Sequence, residues 1–309
     1  MWRSRKQRKT QAQLDMPSHK LRFIINPIAG FRRDKSDIVN LINALFHDTD
    51  FEIAMTSAPG DATLLAREAA AQNYKAVIAI GGDGTVNEVA SGLVGTNTAL
   101  GIIPRGSGNG LARGLAIPIA SKAALNVIQQ GAMKTIDVGS AAHRYFFAVT
   151  GVGFDARVGM KFNHASWRGP VPYFMIAARE FISYHPETLK VKLNDQQFEF
   201  APFTLTIANT QQYGNGAVIA PHAQPDDGVL DMCIVDPLTL WSVMAHGAKL
   251  FNGTIDRAPF MRYRHVTTLE IEKPGPILFH VDGEAQTCTD HLKISIIPHA
   301  LNVLTPATP

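Results

Sequence analysis

AIGGDGTVNEV, residues 79–89, ends the apolar run YKAVIAI (74–80) in three glycines, an aspartate and a threonine. The run is short and continuous, the pattern of a strand buried on both faces. TVNEVASGLV (85–94) then reads as a helix. A glycine turn after a parallel strand lies at the carboxyl edge of the sheet, where open α/β folds take their ligands. Missing side chains let backbone N–H groups approach an anion, and the next helix points its positive end at it. GGDGT therefore reads as a phosphate cradle. Asp83 would repel phosphate unless a cation lay between them, and Mg²⁺, which takes carboxylate and phosphate oxygens together, is the natural mediator. Thr85 and Asn87 suit helix capping or phosphate contact. The plainer alternative is a tight turn with Asp83 as N-cap, but such a turn does not call for three glycines.

The same alternation extends on both sides. KLRFIIN (20–26), FEIAMT (51–56) and TALGIIP (98–104) read as strands. KSDIVNLINALF (35–46), GDATLLAREAAAQN (60–73) and SKAALNVIQQG (121–131) read as helices, with a short one begun by GNGLARGL. The fold class expected is α/β: a doubly wound, mainly parallel N-terminal domain. After about residue 140 the texture changes to strands with polar interruptions, such as ETLKVKLNDQQFEF and VLDMCIVDP. Only 171–184 and 238–251 look helical there. This predicts an antiparallel, β-rich second domain. The expected division is a tail over 1–18, an α/β domain over 19–140, a β-sandwich over 141–290, and a segment 291–309 that returns to the first domain or closes the second.

Composition narrows the class. At 46% apolar and 18% charged the chain is an ordinary globular protein. No apolar stretch reaches the ~18 residues of a membrane span, and no signal peptide is visible. Cys233 and Cys288 sit in no metal-ligand or CxxC spacing, which suits a reducing cytoplasm. Five cations (Arg3, Arg5, Lys6, Arg8, Lys9) fall in the first 13 residues, so the body is slightly acidic although the whole carries +3. No basic stripe with interleaved aromatics appears, which excludes a nucleic-acid surface. The tail reads as a disordered, solubilising end or as a contact for anionic headgroups.

Two further strand ends carry ligand-ready turns: NPIAG (26–30) and IIPRGSGNGLARGL (102–115), the latter with Ser107 and Asn109 at a helix start. Three such turns suggest a nucleoside triphosphate site. No GxxxxGK[ST] is present, so it is not a P-loop, and no HRDxxxxN or DFG marks a protein kinase. TGVGFDA (150–156) imitates a dinucleotide fingerprint but opens no βαβ unit, so it reads as a close-packed glycine bend.

Taken together, NPIAG (26–30), T-x-x-x-GDA (56–62), GGDGTVNEV (81–89), P-x-GSGN (104–109), GFDA (153–156), PDDGVLD (225–231) and DGE (282–284) resemble the diacylglycerol kinase catalytic-domain family, which includes bacterial lipid kinases and the sphingosine and ceramide kinases. The resemblance covers about residues 20–305. It implies ATP in a cleft between an α/β domain and a β-sandwich, with Asn26, Thr56, Gly81, Gly82, Asp83, Gly84, Thr85, Asn87, Glu88, Ser107 and Asn109 contacting or shaping the nucleotide site. It implies a structural Mg²⁺ on the Asp227 carboxylate and the carbonyls of Gln224 and Val229. Asp83 belongs to the catalytic set; Asp282 is the expected general base, with Glu284 as its partner or substitute. Asp-Gly alone would equally make a type I′ hairpin. Gly110 stands where many bacterial members carry Asp, and the GSGN form is similar to sphingosine and ceramide kinases.

The expected function is thus an ATP- and Mg²⁺-dependent kinase acting on a hydroxyl of a diacylglycerol-like or sphingoid-like membrane lipid. It would be cytoplasmic, with peripheral contact to an anionic membrane during turnover and a homodimer as a further partner. Phe162, Trp167, Tyr173 and Phe174, beside Lys161 and Arg168, read as a lipid entrance or as one face of a packed helix. The competing functions are a kinase for a soluble substrate such as NAD, and a catalytically silent lipid- or nucleotide-binding regulator.

Overall fold

A computed structural model describes residues 20–29, 35–164, 170–194 and 196–307. The basic tail, Gly30, Trp167, Arg168 and the Phe174 side chain lie outside the described residues.

The first half alternates as its pattern demands. In chain order it runs β1 (Leu21–Ile25), α1 (Ser36–Leu45), β2 (Phe51–Met55), α2 (Asp61–Ala71), β3 (Ala76–Gly81), α3 (Asp83–Leu93), β4 (Ala99–Pro104), α4 (Gly110–Gly114) and α5 (Ser121–Gln130). β1, β3 and β4 are buried at every residue, because helices cover both faces of the sheet. Ile38 and Ile42 of α1, and Ala62, Ala66 and Ala69 of α2, recur at helical spacing and enter this core.

The second half begins with β5 (Ala132–Ala141), β6 (Arg144–Phe146), β7 (Val149–Gly153), α6 (Phe154–His164) and α7 (Pro170–Ser183). It continues with β8 (Leu189–Leu193), β9 (Gln196–Phe200), β10 (Thr204–Ala208), β11 (Gln212–Gly214), β12 (Ala217–Val218) and β13 (Leu230–Val235). After α8 (Leu240–His246) come β14 (Met261–Val266), β15 (Thr268–Glu272), β16 (Ile277–Val281), β17 (Glu284–Cys288) and β18 (His291–Thr305). Two elements differ from the sequence pattern. β5 is a full strand, and α6 forms where Phe154, Ala156 and Val158 alternate like a strand. β7, which precedes α6, is antiparallel to both its neighbours, β10 and β16, so TGVGFDA opens no βαβ unit.

Ten strands form one sheet, ordered β2-β1-β3-β4-β18-β15-β8-β9, with β5 on β18 and β6 on β5. The parallel half, β2-β1-β3-β4, joins the antiparallel half through β18. β5 runs along one edge of β18. On the other edge, β15 pairs with residues 291–295 and β4 with Val303. The antiparallel half stacks on a second sheet, β14-β13-β10-β7-β16-β17, with Val191, Ile271, Leu292, Leu205, Met232 and Phe279 between the layers.

Asp137 on β5 holds this junction. Its carboxylate is fully buried and accepts N–H bonds from Gly228 (2.7 Å) and from His299 (2.7 Å), which sits at φ 49° beside the register shift of β18. Replacing Asp137 by Ala leaves two backbone N–H groups without their acceptor. It should lower stability by about 3 kcal/mol, with Asn costing less because one acceptor remains. Denaturant midpoints of the two variants test this.

Candidate active site

The chain runs from β1 outward to β2, then crosses back to β3 on the other side of β1. The point between β1 and β3, at their carboxyl ends, is therefore the switch point where an open α/β sheet forms a crevice. Asn26, just past β1, spans it: its Nδ2 donates to Thr85 Oγ1 on α3 at 3.0 Å, and its Oδ1 accepts from Ile28 N at 3.0 Å. A cleft of about 440 Å³ opens there. It is walled by Asn26–Ile28, Thr56–Pro59, the first turn of α3 and, from the second half of the chain, Glu284.

Gly82 is the extended N-cap of α3 and offers no side chain to its first turn. The opening N–H groups of α3 thus face the cleft, as an anion site requires. Asp83 does not cap its own helix. Its Oδ2 accepts from Asn109 N (2.9 Å) and its Oδ1 from Gly110 N (2.7 Å), which ties the GSGN turn to the GGDG turn. Burial, with the nearby Asp282 charge, pushes the Asp83 carboxyl up to about 6 against the pull of those two N–H groups. Asn109 sits at φ 54° and spends both side-chain atoms on Gly106, closing its own turn. Ser107 is half-buried at the tip of that turn.

The remaining residues of the α3 motif brace the site, Glu88 from the wall of the cleft itself. Glu88 accepts from Gly60 N (3.0 Å) and Ala62 N (3.2 Å), capping α2 from outside it. Asn87 donates to Tyr145 O (3.0 Å) and to Asp282 Oδ2 (2.8 Å), reaching across to the second domain. Gly81 cannot carry a side chain because a Cβ would meet Thr85 at 2.5 Å.

Asp282 and Gly283, at φ 48° and 86°, form the two-residue turn between β16 and β17, so DGE is indeed an Asp-Gly hairpin. That turn separates the two carboxylates. Asp282 points into the domain junction and receives N–H bonds from Ala148 (2.8 Å), Phe147 (3.0 Å), Val149 (3.1 Å) and Asn87. Burial pushes its carboxyl up, and those donors pull it back. With both oxygens engaged, Asp282 is not presented to an acceptor in the cleft. Glu284 is: it lines the cleft, with its Oε1 against Gly84 on the first turn of α3, in the space a side chain there would take. Its carboxyl is held above the ordinary range by burial first, then by the charges of Glu88 and Asp282, with Arg144 opposing them.

Sequence reasoning gave no role to the network behind this turn. Asp155 Oδ2 meets Thr206 Oγ1 (3.1 Å), Tyr213 OH (3.1 Å) and His280 Nε2 (3.2 Å), while His280 Nδ1 accepts from Gly283 N (3.3 Å). Burial opposes the Asp155 charge, but the His280 ring together with hydrogen bonds to the carboxylate holds the carboxyl below its usual value. The GFDA motif was the only signal for Asp155.

The PDDGVLD loop places Asp227 at the surface, with Oδ1 accepting from Val229 N at 3.1 Å. Gln224 is likewise exposed. The donors on offer are one carboxylate, main-chain carbonyls and water, an all-oxygen set that suits a hard cation. The charge of Asp227 also contributes to raising the carboxyl of neighbouring Asp231, after burial. Among the described residues, no three His, Cys, Asp or Glu side chains converge to hold a metal by themselves.

Residues 20–141 match the diacylglycerol kinase catalytic domain, and residues 148–305 match the YegS C-terminal NAD kinase beta sandwich-like domain. A diacylglycerol kinase of Mycobacterium tuberculosis is 30% identical over 296 residues, covering 93% of this chain and 95% of that one. The chain belongs to the diacylglycerol kinase family. It is accordingly an enzyme, a phosphotransferase. A YegS-like lipid kinase of Pseudomonas aeruginosa is 33% identical over 262 residues, covering 84% and 85% of the two chains. A Bacillus anthracis structure shares the fold with a TM-score of 0.78 at 24% identity, over 94% of this chain and 99% of its own. A second, a diacylglycerol kinase of the same organism, scores 0.69 at 20% identity, over 93% and 97%.

Gly110 departs from the pattern of many bacterial members for a local reason. A Cβ there would meet Tyr213 O at 2.8 Å and Tyr213 C at 3.2 Å, because the Asn215–Gly216 hairpin of β11 and β12 lies on the turn. Gly110→Ala and Gly110→Asp should both push that hairpin away, costing about 1–3 kcal/mol and weakening nucleotide binding. Melting temperature and turnover would be compared; higher turnover in the Asp variant would refute this packing account.

Proposed function

We propose that the chain transfers the γ-phosphate of ATP to a hydroxyl of a membrane lipid. The observation that carries this reading is Glu284, a carboxylate of the second domain seated on Gly84 at the N-terminus of α3. Phosphates drawn to that helix end would lie beside a base whose raised carboxyl suits proton abstraction from an alcohol. The names of the relatives, diacylglycerol kinase and lipid kinase, supply the acceptor class.

The roles divide as follows. The amides of Gly84 and Thr85 bind phosphate, and Thr56 and Asn26 line the nucleotide cleft. Asp83 couples the two glycine turns so that both close on one ligand. Glu284 takes the hydroxyl proton, while Asp282 holds the turn that presents it. Asp83, Glu88, Asp282 and Glu284 put negative charge where phosphates would arrive, so Mg²⁺ would accompany the nucleotide, neutralising phosphate charge. A second Mg²⁺ on Asp227 and the carbonyls of Gln224 and Val229 would rigidify the 224–231 loop, which Asp137 ties to β5 through Gly228. The exchange takes place at the membrane surface, with the protein peripheral to it.

Glu284→Gln should lower kcat by about 10²–10⁴-fold with ATP affinity and melting temperature retained. Asp282→Asn, by contrast, should lower the melting temperature as well, because the domain junction loses acceptors. Labelled ATP with a panel of solubilised lipids reads the first, and thermal unfolding the second. If Asp282→Asn alone abolishes turnover and Glu284→Gln stays active, the base is Asp282.

The protonated form of Glu284 cannot accept a proton. In the parent, kcat should therefore fall as pH drops through a limb lying above the ordinary carboxylate range, as a pH–rate profile would show. A chelator should abolish transfer and lower the melting temperature of the parent, while leaving that of Asp227→Ala unchanged.

A further inference from the structure

α6 packs on the six-stranded sheet and α7 on α6, while Leu238 and Leu250, which flank α8, join the apolar cluster beside them. α8 contributes no buried residue at all. Leu240 is 66% exposed, Trp241 74% and Met244 69%, and Phe251 follows just beyond it. Thr239 caps this helix by accepting from Ser242 N at 3.1 Å, so the element is formed rather than frayed. Leu240, Trp241 and Met244 stand on the exposed side of a capped helix whose His246 packs on Phe260, so the core does not explain them.

Within the segment that carries this face the formal charge has one sign. Residues 238–251, LTLWSVMAHGAKLF, contain no acid and one lysine. Lys249 donates to Arg257 O at 3.1 Å, which brings the exposed Arg257 to the edge of the same face. The two nearest acids in sequence are engaged, Asp236 with Arg262 and Asp256 with His222.

A second exposed apolar stripe lies on α7. On α7, Val171, Met175 and Ile182 recur on one stripe and are 67%, 65% and 85% exposed. The opposite side of α7 is anchored: Glu180 is buried and bridged by Arg157 (2.7 Å) and Lys161 (2.5 Å) of α6, and Phe162 meets Tyr173 edge-on. Phe181 and Tyr184 of α7 share an apolar cluster with Leu238 and Leu250, which flank α8. α6 in turn packs on β16 and β17, the hairpin that carries Glu284. α6 and α7 are thus a packed helix pair, and the stripe of Val171, Met175 and Ile182 on α7 stays exposed and apolar.

We propose that this face, centred on Trp241 and Met244, is the surface by which the enzyme seats itself in the headgroup–acyl boundary of an anionic membrane. The inference rests on the lipid-kinase reading and names the element that makes the contact. An indole and flexible apolar side chains, bordered by Lys249 and Arg257 and with no acid over residues 238–251, match that boundary, where the rings sit at headgroup level and Lys and Arg reach the lipid charge. A soluble partner would be met by the same apolar area without needing those two cations.

The test is sedimentation of the full chain with vesicles of phosphatidylcholine alone and of phosphatidylcholine with phosphatidylglycerol. The variant is Trp241→Glu with Met244→Glu, and the control is Met133→Glu, an exposed apolar residue of the first domain. The double variant should lose about tenfold or more in partition onto the anionic vesicles. Its KM for vesicle-embedded lipid should rise in parallel, while kcat on a short-chain lipid dissolved as monomers and the melting temperature stay at parent values. Met133→Glu should bind as the parent does. Unchanged binding by the double variant, or an equal loss in Met133→Glu, overturns the proposal. So does a switch from dimer to monomer in gel filtration with vesicle binding intact, which would make this face a contact between copies. If the parent phosphorylates no lipid yet loses vesicle binding on substitution, the kinase reading fails and the docking face stands.

Discussion

Asp282 sits where the two halves of the protein meet. Its carboxylate receives three consecutive backbone N–H groups, from Phe147, Ala148 and Val149, and the side-chain amide of Asn87. Hydrogen bonds to an ionised acceptor are roughly twice as strong as neutral ones. Here they fasten α3, the segment entering β7 and the β16–β17 turn to one point. The consequence is mechanical. Glu284 follows two residues later, so its position against Gly84 is set by the same bonds. A small carboxylate at φ 48° provides both the tight turn and the acceptor, which is why the motif needs Asp rather than Glu at this place.

The second constraint is the shared sheet. β18 belongs to both halves, pairing with β15 at its start and β4 near its end, with β5 alongside throughout. A continuous hydrogen-bonded sheet resists shear between the nucleotide cleft and the sandwich far better than a loop hinge would. The register shift at Ile297–Leu301 bends the strand, and buried Asp137 satisfies the backbone at the bend. The cleft is accordingly lined by residues of both halves.

Electrostatically the site is balanced between opposing fields. The N-terminus of α3 favours an anion, while Asp83, Glu88, Asp282 and Glu284 disfavour one. Their mutual repulsion, added to burial, is visible in the raised carboxyls of Asp83 and Glu284. An anionic ligand accompanied by a divalent cation meets both fields at once. Asp155 lies outside this balance, held behind the turn by Thr206, Tyr213 and His280.

Periodicity and glycine placement alone determined the α/β half, because fully apolar strands and helically spaced Ile and Ala reflect burial that is local to each element. They also located the cleft, since a glycine turn at a parallel strand end is a short-range feature. The β5 strand and α6 were not legible: Phe154, Ala156 and Val158 alternate in sequence and were ordered into a helix by packing on β16 and β17. The division of labour within DGE was equally hidden. Asp282 and Glu284 differ by two positions, but the donors that engage one and leave the other facing the cleft come from more than 130 residues earlier in the chain. The same holds for Asp83, whose partners lie on the next turn, and for Gly110, which is small because Tyr213 folds onto it. Residue types in a motif specify which chemistry is available; which side chain performs it depends on long-range hydrogen bonds that tertiary structure alone brings together.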